Sequence, residues 1–365
     1  MDAVLFSKKV SGGGPMMAAR EVLEGMNPIH PPRLLGSSLG PALFKSRPED
    51  FQVEEILGFE PSGEGEHCLV WVEKTDRNSN DIATELANKL GIRKRLVSHC
   101  GLKDRNAVTR QWFSLHIPGQ PSPVAEDLAI EGVRVLKVTR NLRKLHRGSH
   151  DGNRFLIRLR ECGFSKTAAA ERWQAILDRG VPNYFGPQRF GRDGGNIEQA
   201  RRFMAGELDV RDRTLRGILI SAARSFLFNA CVAQRVQLGN WETPLDGEVF
   251  GFAYNKSLVL PNNLHGDESD RVKNGTLELT APLWGEGDLL SQREVQTLEQ
   301  DVVQRFPEML AGLAQFNLRQ ERRVIRLKPQ SATFDWETDS TLVLSFDLPK
   351  GTYATTLLRE LADLA

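Results

Sequence analysis

Cysteine is scarce in this chain. Cys68, Cys100, Cys162 and Cys231 are scattered over 365 residues, and no two stand at a Cys-x-x-Cys spacing. That distribution argues against a disulfide framework and against a structural zinc site, and it fits a reducing cytoplasm. No apolar run approaches the roughly 18 residues needed to span a bilayer. The N-terminus lacks the charged start and apolar core of a signal peptide. We therefore expect a cytoplasmic protein without a membrane segment. Net charge is also nearly absent, at +1, so bulk charge identifies no partner. The glycine-rich stretch NYFGPQRFGRDGGN has no Gly-Lys-Ser/Thr ending and follows a proline rather than a clean strand, which speaks against a nucleoside triphosphate site. Its Gly186, Gly191, Gly194 and Gly195 read as formers of tight turns at a hinge. No set of clustered carboxylates or histidines suits a metal, so no metal and no cofactor is expected. No internal repeat and no exposed repeating seam are seen. Monomer is the default, and no protein partner is implied.

What is present is a globular composition, 40% hydrophobic and 26% charged, in a length that suits two domains. The charge is segregated. Arg134 to Arg160 holds nine Lys or Arg against Asp151 alone, and Arg319 to Lys328 holds five against Glu321. Acids collect elsewhere, at Glu286, Asp288, Glu294, Glu299, Asp301 and Glu308. A neutral chain with such segregation can present a basic face to a phosphate backbone.

Residues 1–38, with SGGGP and HPPR, read as a flexible tail, and Met16, Met17 and Met26 as alternative starts. In FKSRPEDFQVEEI, Phe51, Val53 and Glu55 alternate with Gln52, Glu54 and Ile56 as on a strand. CLVWVE from Cys68 reads as an interior strand. A helix follows, capped at Asn80 or Asp81, with Ile82, Leu86 and Leu90 on one face and Gly91 as its stop. Strands are expected over Arg95 to Cys100, Gln111 to Ile117, Val133 to Thr139 and Phe155 to Arg160. Lys166 to Leu177 has a helical pattern. Composition changes near Gly180, and helical patterns then cover Ile197 to Ala205, Thr214 to Leu238 and Gln292 to Leu313. Arg323 to Leu327 and Leu342 to Leu348 read as strands, followed by a helix from about Ala354 to Leu364. Strands and helices without regular alternation predict an α+β fold with a mixed, largely antiparallel sheet. Residues 39–180 and 326–365 are expected to form one domain, interrupted by an inserted α/β domain over 181–325.

The chain is organised around SHCGLKDRNAVTRQWFSL, Ser98 to Leu115. Asp104 lies there in a polar loop between Lys103 and Arg105, with Arg110 following. From Arg93 to Arg110 there are six Lys or Arg and this one acid. Nearby positive charge keeps a carboxylate ionised, which suits a nucleophile or an electrostatic stabiliser better than a general acid. A surface turn with a satisfied ion pair has the same spacing.

GLKDRNAVTRQWFSL resembles the catalytic motif of the TruD-type transfer RNA pseudouridine synthases. FKSRPEDFQVEE, HDGNRF, VPNYFGPQRFG, RSFLFN and DLPKGTYATTLLREL extend the resemblance from Leu43 to the C-terminus. It implies a pseudouridine-synthase-like sheet with helices, and an inserted family-specific domain across a cleft. It also implies an isomerase that converts uridine to pseudouridine at position 13 of transfer RNA. The family's catalytic nucleophile falls on Asp104, and its substrate contacts fall on Phe51, Asn153 and Tyr353. Tyr353 stands where phenylalanine is expected. Lys45 resembles a lysine near the family's active site, available to the carboxylate or to a phosphate. Asn153 can hydrogen-bond a base edge, and Phe155 either stacks on the base or packs beneath it. Glu54 and Glu55 read as partners of nearby cations. Among Lys103, Arg105 and Arg110, one is expected to orient Asp104 and others to meet the RNA backbone, as are Arg189 and Arg192. A non-catalytic RNA-binding or chaperone protein is the alternative. It would gain nothing from an acid amid its basic surface.

Overall fold

The structure, a computed structural model of the chain, describes residues 27–365 apart from the side chain of Arg192. The alternative starts and most of the expected tail lie outside those residues. The described chain forms two compact units. One comprises residues 33–183, 253–256 and 326–365; the other comprises residues 27–32, 184–252 and 257–325.

The first unit opens with β1 (Pro41–Phe44), β2 (Phe51–Ile56), β3 (His67–Thr75), helix α1 (Ser79–Lys89), β4 (Val97–His99), β5 (Val108–His116), β6 (Val133–Asn141), β7 (Gly152–Arg160), α2 (Lys166–Arg179) and β8 (Val181–Pro182). Helix α1 begins a residue before the expected caps. Asn78 precedes it, with its amide turned to Asp81, while Ser79 Oγ donates to Gln111 Oε1 at 2.6 Å. The strand expected from Arg95 starts two residues later, after a short 3-10 turn over Lys94–Leu96. Residues 33–38 are tied down: Arg33 pairs with Asp363 at 2.6 Å, and Leu35 packs against the core.

The second unit holds α3 (Gly195–Met204), α4 (Arg213–Gln237), β9 (Phe250–Phe252), β10 (Asn255–Val259), α5 (Glu268–Lys273), β11 (Glu278–Leu283), α6 (Arg293–Val303), α7 (Pro307–Leu313) and β12 (Glu321–Val324). Residues 253–256, between β9 and β10, cluster with the first unit. The single helix expected over Gln292 to Leu313 is two, because Pro307 cannot continue a helix and starts a new one instead. By length and composition alone, α4 could cross a bilayer, although Arg216 and Arg224 interrupt it, so it is not an unbroken apolar run. Its burial accounts for that composition: Leu219, Phe226, Phe228 and Val232 are interior. So are Asn229, which donates to Phe185 O at 3.0 Å, and Arg235, paired with Glu248 at 2.8 Å. A helix apolar on every side is a core helix or a membrane span.

The chain returns to the first unit with β13 (Arg326–Leu327), β14 (Gln330–Trp336), β15 (Leu342–Pro349), α8 (Ala354–Leu358) and β16 (Asp363–Leu364). The strand expected over Arg323 to Leu327 breaks at Ile325, and its halves pair with β11 and β8. Helix α8 stops at Leu358, short of the expected Leu364. The remaining residues pair with β1 through Pro41↔Asp363.

The main sheet runs β14-β15-β7-β2-β5-β3-β6. Among the described strands of this sheet only β2–β5 and β1–β16 pair in parallel, so the sheet is largely antiparallel and the fold is α+β. Cross-strand register aligns Phe51, Val53, Phe155, Ile157, Leu344 and Phe346 on one face. Packed on this half are α2, through Trp173 and Ile176, and α8, through Leu357 and Leu358. Val53 pairs with Thr109, which places Thr109, Gln111, Phe113 and Leu115 on the same face. Helix α1 covers the Phe113 end through Ile82 and Leu86. Each such side chain contributes about 1.5–3 kcal/mol on burial.

Candidate active site

Between those two covered stretches runs the loop from Gly101 to Ala107. Three contacts hold its backbone over the sheet. Lys103 N donates to Ser79 Oγ at 3.1 Å, Gln111 Nε2 to Gly101 O at 3.4 Å, and Lys74 Nζ to Asp104 O at 2.8 Å. Asp104 is thereby presented with its side chain 56% exposed, and its Oδ2 accepts from Lys45 Nζ at 2.6 Å. The same ammonium stands 3.9 Å from the Phe51 ring centroid. Lys45 has a left-handed backbone at φ 58°. That conformation costs a residue with a Cβ on the order of 1 kcal/mol.

Lys74 was absent from the residues expected at the site. It is fully buried. Burial lowers its pKa to about 8, against the raising effect of Asp104. A signal for it existed: Cys68, Val70, Val72 and Lys74 share the inward phase of β3, so a lysine stands where the alternation demands an apolar residue.

Glu54 and Glu55 do partner cations, as expected. Lys103 Nζ lies 2.7 Å from Glu55 Oε2, both side chains being buried, and Glu55 Oε1 accepts from Trp112 N at 3.2 Å. Arg110 turns to the opposite sheet face, where it pairs with Glu54 and Glu73 at 2.9 Å. Arg105 is exposed and pairs with Asp76 at 2.9 Å. Each of the three cations near Asp104 in sequence therefore has another acid as its partner, and the ammonium that meets the carboxylate comes from Lys45. Beneath the loop, Glu55, Cys100 and His150 each bring a potential metal-ligating atom within 4.8 Å of the others. The Lys103 ammonium already supplies the cation there, and burial followed by the charge of Glu55 pushes the Cys100 thiol up to about 12.

The remaining residues singled out in the first unit lie on the Asp104 side of the sheet or beside it. Phe155 packs with ring centroids 6.0 Å from Phe51 and 5.6 Å from Phe346, beneath rather than above the open surface. Asn153 pairs across the sheet with Glu55 and Leu348. Its Oδ1 is buried and accepts no hydrogen bond. A buried acceptor left in that state costs about 1–3 kcal/mol. Tyr353 is half-buried at the start of α8, four residues beyond the Pro349↔Gly152 pair. Gly152 is required there, since a Cβ would lie 2.4 Å from Leu348 O. In the second unit, Arg189 Nη1 donates to Ser221 Oγ at 3.1 Å, and its guanidinium lies 5.6 Å from the Phe185 centroid. Arg192 lies in the next turn, and its side chain is outside the described structure.

The fold has a counterpart among solved structures. The crystal structure of a Methanosarcina mazei protein, described as a candidate tRNA pseudouridine synthase D, matches with a TM-score of 0.67 at 20% identity, over 93% of this chain and 96% of that one. That likeness is one of fold. The family model described as tRNA pseudouridine synthase D (TruD) matches residues 40–199 and 196–361. The chain is 41% identical to the tRNA pseudouridine synthase D of Chromohalobacter salexigens over 92% of its own length and 97% of that protein's. It is 42% identical to that of Colwellia psychrerythraea, over 90% and 91%. The chain belongs to the tRNA pseudouridine synthase D family.

Proposed function

We infer that this chain is a tRNA pseudouridine synthase, an isomerase that turns a uridine of transfer RNA into pseudouridine, and that the uridine is at position 13. The observation that carries the reading is the placement of Asp104 in the family motif: an accessible carboxylate against the Lys45 ammonium, on a loop tied from below by Lys74. The reaction breaks the bond from ribose C1′ to uracil N1 and makes one from C1′ to C5. The proton leaves C5, and N1 gains one, so atoms balance without water, oxidant or reductant. Asp104 acts at the ribose, either by attacking C1′ or by removing a C2′ proton. Lys45 holds the carboxylate aimed until substrate arrives.

The target base must leave its stack to reach this carboxylate. Asn153 Oδ1, buried and without a donor, suits the N3–H of the extruded uracil. Phe51 and Tyr353 flank that position, and Phe155 forms the floor beneath. Lys103 shapes the loop through Glu55. Arg105, Arg189 and Arg192 are assigned to the RNA backbone, whereas Arg110, paired with Glu54 and Glu73 on the face of the sheet away from Asp104, is not. Residues 33–183, 253–256 and 326–365 act as the catalytic domain, and residues 184–252 and 257–325 as the inserted one. The enzyme works as a cytoplasmic monomer.

The test is position-resolved conversion of uridine in unmodified transfer RNA by wild type and by Asp104→Asn. Product at position 13 with wild type alone, at equal RNA affinity, is the expected result. Equal conversion by both would remove Asp104 from the chemistry. Wild type that binds several transfer RNAs and modifies none would favour the RNA-binding alternative.

A further inference from the structure

A second basic feature lies in the first unit, outside the residues just assigned. It is a groove of about 390 Å³ between α1, the turn into β4, and the connection from β6 to β7. Lys94, Arg95, His99, Lys144, His146 and Arg147 line it, and no acid does. Its floor is tied by Ser98 Oγ, which donates to Leu145 O at 2.8 Å, and Leu145 itself is buried. The cationic ends are exposed.

Many of the cations elsewhere in this unit are matched, though not all: among the described residues Arg93, Lys137 and Arg143 also lack an ion pair, but they do not line this concavity. Arg105, Arg110, Arg134, Arg154, Arg158 and Arg160 each pair with an acid. Among the described residues, Lys94, Arg95, Lys144 and Arg147 have no acid partner. Four unmatched cations converging on a concave surface repel one another, so the arrangement is stabilised when an anion enters. A concavity lined by one sign of charge also concentrates that anion. The groove is close to the motif loop along the chain: His99 and Asp104 are five residues apart, which limits their separation to about 18 Å. One RNA strand can therefore engage both.

We propose that this groove binds the phosphodiester backbone of the RNA substrate, holding the strand that leads to the uridine at Asp104. The cations contact phosphates rather than bases, so they contribute affinity and register without reading sequence. The proposal rests on the RNA-modifying reading, and its test separates the two.

The full-length chain carrying Lys94→Ala, Arg95→Ala, Lys144→Ala and Arg147→Ala is compared with wild type and with a charge-keeping swap (Lys94→Arg, Arg95→Lys, Lys144→Arg, Arg147→Lys). Binding of unmodified transfer RNA is titrated across salt. Losing four phosphate contacts should lower the slope of log K against log salt by roughly 3, at about 0.7–0.9 per contact. The loss should be uniform across transfer RNA sequences, and the swap should keep the wild-type slope. An unchanged slope in the alanine variant, with pseudouridine still formed by wild type, overturns the groove proposal and leaves the isomerase reading standing. A lost slope with no pseudouridine from wild type upholds the groove and overturns the isomerase reading. Inorganic phosphate is the small-anion arm: phosphate bound by wild type but not by the alanine variant, with the RNA slope unmoved, would make the groove a small-anion site and refute the proposal.

Discussion

Lys74 carries an ammonium into the interior of the sheet to reach one carbonyl oxygen, that of Asp104, and Lys74→Met would remove the charge while keeping most of the volume. The folded pKa of about 8 lies below the ordinary 10.5 because burial disfavours the charged form. The shift is worth about 3 kcal/mol at 1.36 kcal/mol per pKa unit. Its sign is as follows. Above pH 10.5 the lysine is neutral in both states. Between 10.5 and 8 the unfolded chain holds a proton that the folded chain has released, so stability falls as pH falls through this window. At pH 7 the wild type is therefore about 3 kcal/mol less stable, through this group, than it is in alkali. Methionine removes that deficit and loses a hydrogen bond to a charged donor, worth about 1.5–3 kcal/mol. The two nearly cancel, and the unfolding free energy at pH 7 should stay within about 2 kcal/mol of wild type. Activity should not be spared. Freeing the Asp104 backbone forfeits about 1.5–3 kcal/mol of positioning, or about 10- to 150-fold in kcat. KM should change little, because Lys74 is too deep to touch RNA. Urea unfolding and single-turnover conversion of transfer RNA measure both halves. Wild-type kcat would refute the positioning role. A loss of stability beyond about 4 kcal/mol would make Lys74 a packing residue instead.

Two further outcomes concern stability. Lys103→Met leaves the Glu55 carboxylate buried without its cation, and should lower the unfolding free energy by about 3–5 kcal/mol, read as a reduced thermal midpoint. Asp50 is fully buried, and its hydrogen bonds with Arg160, at 2.7 and 2.8 Å, hold its carboxyl below the usual carboxylate range. A lowered folded pKa means stability that is present at neutral pH and lost as pH falls through the folded value. Asp50→Asn should therefore cost about 1–3 kcal/mol at pH 7 and flatten the acid limb of the unfolding profile, checked by urea titration at both ends.

The strands that form the floor of the site were legible because period-two alternation is local. Phe51, Val53 and Glu55 point inward in the order their sequence shows. The strands that went unread are of another kind. β1 and β16 are short and carry no alternation to speak of, and they exist because Pro41 meets Asp363 at the far end of the chain. β14 has mostly exposed residues on its solvent side, which masks its pairing with β15. The helix break at Pro307 was signalled by the residue itself and was outweighed by the apolar pattern on either side.

The amino-acid sequence by itself determined the α+β character and the motif with Asp104 at its centre. It did so because motif and alternation are written within a few neighbouring residues. Only the tertiary structure decided which cation faces Asp104. Lys103 and Arg105 are its neighbours in sequence, yet the carboxylate meets Lys45, and the backbone carbonyl meets Lys74, from 59 and 30 residues away. The pleat sends Arg110 through to the other face, and Glu55 draws Lys103 inward. Charge partners are chosen by register between distant strands, and register is a property of the assembled sheet that no local stretch of chain contains.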